Sequence, residues 1–345
     1  MLKIEHVSID LDPFHLRDVC LEIERGEYLC LVGPTGAGKT ILLECVMGLH
    51  IPKRGSVLLE GSDVTTLPPE ARAVGYVPQD YALFPHMSVF DNIAYGLVEH
   101  RVDSAEVRRR VEDAAELLGI AHLLGRRPAT LSGGEAQRTA LGRALVLRRD
   151  LLLMDEPFGA LDQVTKRQLF HYLRTIHGRL DLTVLHVTHD FSEAYGLATK
   201  VAVVLDGAVC QVGSLEDVFL RPRTQQVARF LGIPNVWERG ELAGQPQTVL
   251  SRIAIDAMDR AAAPAVCIPA DGVQIGPAPA DPTRNGVTGT IGSIQWQGSQ
   301  CEVGLDAGVQ LVATIPARAL AELGASVGDV VAVHIDPEDV HPMTG

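Results

Sequence analysis

The sequence contains no apolar run of about 18 residues, the length a helix needs to cross a bilayer. Any role at a membrane is therefore expected to pass through a partner. The opening MLKIEHVSID alternates like a strand and carries charge at Lys3, Glu5 and Asp10, which is not the pattern of a secretory leader. Positive charge is scarce as well. Thirty Lys and Arg against 43 Asp and Glu leave a formal charge of -13. That balance disfavours long contacts with a phosphate backbone, so no nucleic-acid partner is expected. The six cysteines (Cys20, Cys30, Cys45, Cys210, Cys267 and Cys301) form no CxxC pair. Their scatter argues against a disulfide frame or a zinc site and suits small buried side chains in a reducing cytosol. No long internal repeat is evident.

What is present is enough for two domains: 345 residues, 46% of them hydrophobic. Continuous apolar runs at Leu29–Val32, Leu151–Met154, Thr183–Val187 and Val201–Leu205 suit strands covered on both faces of a mainly parallel sheet. Helical stretches separate them, for example from Ser104 to Leu118. Ile233-Pro234-Asn235 reads as a boundary, which divides the chain into 1–232 and 233–345. Residues 259–286 are rich in Ala and Pro and read as a linker or crossover within the second domain. Beyond them the period becomes two, at Cys301, Val303, Leu305 and again at Leu311, Ala313, Ile315. Short alternating strands with Gly-rich turns predict a small β-barrel.

Three segments carry chemistry. Gly33-Pro34-Thr35-Gly36-Ala37-Gly38-Lys39-Thr40 follows the first buried strand and opens a helix. This is a P-loop in its required context. The glycines let backbone N–H groups curl round phosphate oxygens at a helix N-terminus. Lys39 would reach the β- and γ-phosphates, and the Thr40 hydroxyl would ligate Mg²⁺. Asp155 ends another buried strand, placed to hold Mg²⁺, and Glu156 follows it where it can polarise an attacking water. Leu131-Ser132-Gly133-Gly134-Glu135-Ala136-Gln137-Arg138 is a second glycine-rich helix start. One nucleotide rarely needs two cradles. A homodimer resolves this, with Ser132, Gly133, Gly134 and Gln137 closing on the ATP held by the other subunit's P-loop.

LSGGEAQR resembles the signature sequence of the ABC ATPase family, and the resemblance covers residues 1 to about 230. It implies an α/β P-loop ABC ATPase domain with a helical subdomain, followed by a small all-β, OB-like barrel, with ATP and Mg²⁺ as cofactors. It further implies roles for residues that fall in family order. Gln79 would touch Mg²⁺ and water and sense a membrane subunit. Asp162, in Gly159-Ala160-Leu161-Asp162, would lie in a loop crossing the dimer interface. His189 would contact the γ-phosphate, Glu156 act as general base and Lys39 neutralise charge. The family stacks adenine on an aromatic before the second strand. Here the spacing favours Leu11, with Phe14 the alternative.

Tyr81 to Val89 resembles the importer form of the groove that receives a cytoplasmic permease helix. The C-terminal part resembles the barrel of importer ATPases, and Thr283, Arg284 and Asn285 are similar to the entry of molybdate-binding barrels. Those three residues form a candidate oxyanion site, although Asp336, Glu338 and Asp339 lie where such a site would want positive charge. The resemblance implies the ATPase subunit of an ABC importer at the cytoplasmic face of the membrane. It would act with transmembrane permease subunits and, indirectly, an external solute-binding protein. The expected solute is molybdate or tungstate, with sulfate, iron, sugar or polyamine as alternatives. A soluble ABC ATPase or an oxyanion-binding module are the readings from other classes.

Overall fold

The computed structural model describes residues 1–12, 14–159, 161–243, 249–277 and 286–344. Residues 1–215 form one compact unit and 216–345 a second. The second therefore begins upstream of the Pro234 boundary. The reason is packing: Ala228 joins Ala265, Cys267 and Met343 in one buried cluster.

The first unit opens with a hairpin, β1 (Leu2–Leu11) and β2 (Phe14–Ile23), followed by β3 (Tyr28–Val32) and α1 (Lys39–Met47). Next come β4 (Arg54–Leu59), β5 (Ser62–Asp63), β6 (Val74–Val77), α2 (Val89–Glu99), α3 (Ser104–Leu117) and α4 (Gly133–Leu145). The unit closes with β7 (Leu151–Asp155), α5 (Gln163–Leu180), β8 (Thr183–Thr188), α6 (Phe191–Leu197), β9 (Lys200–Leu205) and β10 (Ala208–Gly213). β2-β1-β4-β5 make an antiparallel sheet, and β10-β9-β3-β8-β7-β6 a larger one. Within the larger sheet β6, β7, β8, β3 and β9 run parallel. Every residue of β3, β7 and β8 is buried, as the unbroken apolar runs predict. A Leu→Ala change there would cost about 2–5 kcal/mol. The order places β8 between β3 and β7. The carboxyl ends of these three strands therefore lie side by side, which is where open α/β sheets bind ligands.

The second unit carries α7 (Leu215–Phe219), α8 (Gln225–Phe230), β11 (Asn235–Glu238), α9 (Arg239–Ala243), α10 (Val249–Ala261) and β12 (Ala265–Ile268). After these come β13 (Val273–Gly276), β14 (Gly286–Gln297), β15 (Gln300–Asp306), β16 (Gln310–Pro316), α11 (Ala317–Leu323), β17 (Val330–Ile335) and β18 (His341–Met343). It holds two antiparallel sheets, β11-β12-β18 and β13-β17-β14-β15-β16. The edges β13 and β16 of the larger sheet approach one another, giving the OB-like outline expected from the period-two pattern. The alternation at Cys301, Val303 and Leu305 is that of β15, with those three residues buried. The segment read as a linker is different. β12 and β13 fall within it, and β12 is wholly buried between β11 and β18. Among the described residues no helix is long and apolar enough to cross a membrane.

Candidate functional site

The β3–α1 connection builds an anion cradle. Pro34, Thr35 and Gly36 form its exposed rim, while Gly33, Ala37, Gly38 and Lys39 are buried. Gly36 and Gly38 have φ of 84° and 93°, a region that excludes most side chains, and Gly38 occupies the N-cap position of α1. A side-chain cap is absent there, so the first amides of α1 are left for an anion. Lys39 is only 5% exposed, and its Nζ donates to the carbonyls of Gly33 (2.8 Å) and Pro34 (2.9 Å). Burial lowers its pKa, against the opposing charges of Glu156 and Asp155. Thr40 Oγ1 donates to Asp155 Oδ1 at 3.2 Å, which brings together the two groups expected to hold a divalent cation. Burial raises the pKa of Asp155. The Thr40 bond opposes this, whereas Glu156 and Glu44 add to it. A buried carboxylate beside a hydroxyl offers the hard oxygen donors that Mg²⁺ prefers, and a bound cation would offset the burial and the neighbouring carboxylates that raise the Asp155 pKa.

Glu156 follows Asp155 with φ 41°, and its N–H donates to Val187 O at 2.9 Å, so the chain turns away from β7 just where the carboxylate projects. His189, directly after β8, places Nδ1 3.1 Å from Glu156 Oε1. Its ring is largely exposed, whereas the Glu156 side chain is mostly covered. The adjacency of the three strand ends thus gathers Lys39, Thr40, Asp155, Glu156 and His189 in one place.

The second glycine-rich segment caps α4. Ser132 Oγ accepts from Glu135 N (3.4 Å) and Glu135 Oε2 accepts from Ser132 N (2.7 Å), a reciprocal capping box. Two of the helix-start donors are thereby satisfied, leaving the amides of Gly133 and Gly134. Among the described residues no hydrogen bond joins this segment to the P-loop. Gln137 is buried inside the helix packing, its Oε1 without a hydrogen-bond partner, and so is not presented at the helix start as a nucleotide contact would be. Asp162 caps α5 by accepting from Val164 N (2.9 Å) and Thr165 N (3.0 Å). Gln79 is exposed after β6, on the segment entering the 81–88 loop.

That loop is fixed by two residues that lie outside the motifs. Arg143 of α4 donates to the carbonyls of Ala82 (2.6 Å) and Tyr81 (2.8 Å), both residues having positive φ. Its guanidinium lies 5.4 Å from the Phe84 ring centroid. Asn92, fully buried on α2, accepts from Phe84 N (2.8 Å) and donates to Phe84 O (3.1 Å). A polar residue on an otherwise apolar helix face was the available signal for both. The Phe84 and Tyr95 rings pack at 4.6 Å, with Tyr95 38% exposed.

The adenine side differs from expectation. Leu11 is partly buried against the core, whereas Phe14 is 43% exposed and its Cε1 lies 3.8 Å from where a Cβ on Gly36 would sit. Phe14 is therefore the ring beside the cradle, not a core residue, and the preference for Leu11 is corrected. Thr283, Arg284 and Asn285 lie outside the described residues. In the second unit, Asp271, Glu338 and Asp339 line a cleft of about 260 Å³ with Glu216, Arg221 and His341. Burial and the charges of Asp336, Asp271 and Glu338 raise the Asp339 pKa. This cleft is acidic and unsuited to an anion.

A glycine cradle on a helix start, a buried lysine and a Thr–Asp pair, all at the carboxyl ends of a parallel sheet, define a P-loop nucleotide hydrolase. Residues 16–159 match the ABC transporter family and residues 266–343 the TOBE domain. The molybdate/tungstate import ATP-binding protein of Thermococcus kodakarensis is 50% identical over 238 residues, covering 69% of this chain and 72% of that one. The sulfate/thiosulfate import ATP-binding protein of Acinetobacter baylyi is 42% identical over 239 residues, 68% of each chain. An ATP-binding cassette solved as a dimer in a post-hydrolysis state, bound to ADP and Pi, superposes with a TM-score of 0.56 at 26% identity. The match covers 62% of this chain and 99% of that one. The chain belongs to the ABC transporter family of ATP-binding proteins.

Proposed function

We propose that this chain is the ATP-hydrolysing subunit of an ABC importer, acting as a homodimer on the cytoplasmic face of a membrane and engaging permease subunits there. The observation that carries the reading is the split site. The cradle and its carboxylates are complete in one chain, while the capped glycine start at Ser132–Gly134 makes no hydrogen bond to them. A second copy supplies that half.

In this reading Gly33 to Thr40 hold the phosphates, with Lys39 moving its Nζ from the Gly33 and Pro34 carbonyls to phosphate oxygens. Thr40, Asp155 and Gln79 hold Mg²⁺, which supplies charge neutralisation on the phosphate oxygens when bound. Glu156 orients a water and accepts its proton, and His189, already 3.1 Å from Glu156, fixes that carboxylate and faces the γ-phosphate. Ser132, Gly133 and Gly134 present their N–H and hydroxyl groups to the partner's nucleotide, and Asp162 lies at the same seam. The Phe84–Tyr95 surface beside Gln79 receives a permease helix. Glu156→Gln keeps the hydrogen-bonding shape but not the base. It is expected to bind ATP, lose turnover by about 100- to 10 000-fold, and accumulate as an ATP-bound dimer in light scattering. Wild-type turnover in that variant would sink the assignment.

For the solute we propose molybdate or tungstate, on the strength of the 50% identical relatives of that name, with sulfate as the second choice from the 42% identical ones. Calorimetric titration of the full chain with molybdate, tungstate and sulfate tests whether the C-terminal domain reads the same anion. Tight binding lost in Arg284→Ala supports feedback through Thr283, Arg284 and Asn285. Absence of heat leaves that domain a structural part and the ATPase reading unaffected.

A further inference from the structure

We propose that Lys166 is a positioning residue that ties the elements facing the partner subunit to the histidine facing the γ-phosphate, so that hydrolysis depends on correct seating of the partner. This rests on the dimeric ATPase reading above.

Lysine is almost never buried unless paired. Lys166 is 8% exposed, and its Nζ lies 2.8 Å from Asp190 Oδ2 and 3.2 Å from Glu193 Oε1. Asp190 is the residue after His189. Its other oxygen, Oδ1, accepts from Ser192 N (2.9 Å) and Ser192 Oγ (2.6 Å), and its own N–H donates to Thr188 Oγ1 (3.0 Å). The carboxylate is held on both sides, and with it the peptide that aims His189 at Glu156. Glu193, 1% exposed, also lies 3.2 Å from His186 Nε2, out of line for a hydrogen bond. The other nitrogen of His186 meets Tyr28 OH at 3.1 Å, on β3. Glu193 and His186 are thus packed together over β8 and β3, the strands beneath the cradle.

Lys166 sits in the first turn of α5, and the same turn faces the partner's half of the site. Asp162 caps it, and Thr165, bonded to Asp162 by its hydroxyl (2.6 Å), abuts the signature helix at Gly134. One helical turn thus touches the dimer-crossing aspartate, the signature glycine and the neighbour of His189. A packed helix turn shifts as a unit, so a displacement at the seam reaches His189 through the Lys166–Asp190 bond. A buried ion pair is weak evidence for stability in itself, which leaves geometry as the reason for this one.

The test uses ATPase kinetics of the full chain with a urea midpoint for each variant. Lys166→Met combined with Glu193→Gln removes one buried charge of each sign. Lys166→Arg keeps the cation. Leu173→Ala, a core truncation further along α5, controls for lost stability. The double variant is expected to keep KM for ATP within about threefold while kcat falls about 10- to 100-fold beyond its loss of folded fraction. Lys166→Arg should recover most of that fall. The proposal is overturned if kcat in the double variant is wild-type, or if it falls only as the folded fraction falls and Leu173→Ala does the same. A wild-type chain without ATPase activity would instead remove the reading on which this one stands.

Discussion

Phe14 and Leu11 face each other across the end of the β1–β2 hairpin, yet only Phe14 borders the glycine loop. Residue spacing alone favoured Leu11. The β1–β2 register shifts twice, between Ile4 and Val7 and between Val7 and Ile9, and such bulges decide which side chain arrives at the cradle. Stacking of a base on a ring is worth about 1–3 kcal/mol. Phe14→Ala should therefore raise KM for ATP by roughly 5- to 150-fold with kcat little changed. Leu11→Ala should leave KM near wild type and lower the urea midpoint, because that side chain packs on the core. Steady-state ATPase assays on the two variants check this directly. Lys39, Thr40, Asp155 and Glu156, by contrast, were readable one by one, because each lies within a few residues of the strand end that aims it.

Between elements, α4 and α5 approach closely at their starts. Gly134 is buried, and a Cβ placed on it would lie 2.6 Å from Thr165 Cγ2. Overpacking of this kind costs about 1–3 kcal/mol. Gly134→Ala should push the two helix starts apart and lower ATPase activity more than ATP binding by the single chain. Thr165→Ser removes the clashing methyl and keeps the hydroxyl bonded to Asp162. The double variant should therefore regain a good part of the lost activity, as read by kcat beside nucleotide binding. No sequence pattern announces this pair, since the two residues are brought together only by the packing of two helices. The buried strands were legible because a continuous apolar run has few other uses. β12 was not. Its four residues are too few to declare a period, their Ala and Pro surroundings read as a linker, and its neighbours β11 and β18 come from distant parts of the chain.

At the scale of the whole molecule, the sequence placed a boundary at Pro234, while the compact units divide at 215/216, because Ala228 is buried with Ala265, Cys267 and Met343 of the second unit. The two-part composition was nonetheless visible in the change of period from continuous runs to strict alternation. Which anion, if any, the second unit reads was not visible. Its acidic cleft argues against anion binding around Asp339, and the question passes to Thr283, Arg284 and Asn285.

Among the described residues the signature segment and the P-loop share no hydrogen bond, so a defect in either segment can be separated from the other by mixing chains. In a two-fold dimer each catalytic centre takes its cradle from one copy and its signature from the other. Lesions in the two segments of different copies then fall together on the same centre. A mixture of Lys39→Ala chains and Gly134→Ala chains, each impaired alone, should form mixed dimers with one doubly damaged centre and one intact centre. Two impaired proteins would complement each other on mixing, with activity rising above that of either alone. Such recovery measures the exchange of halves without any structure of the complex.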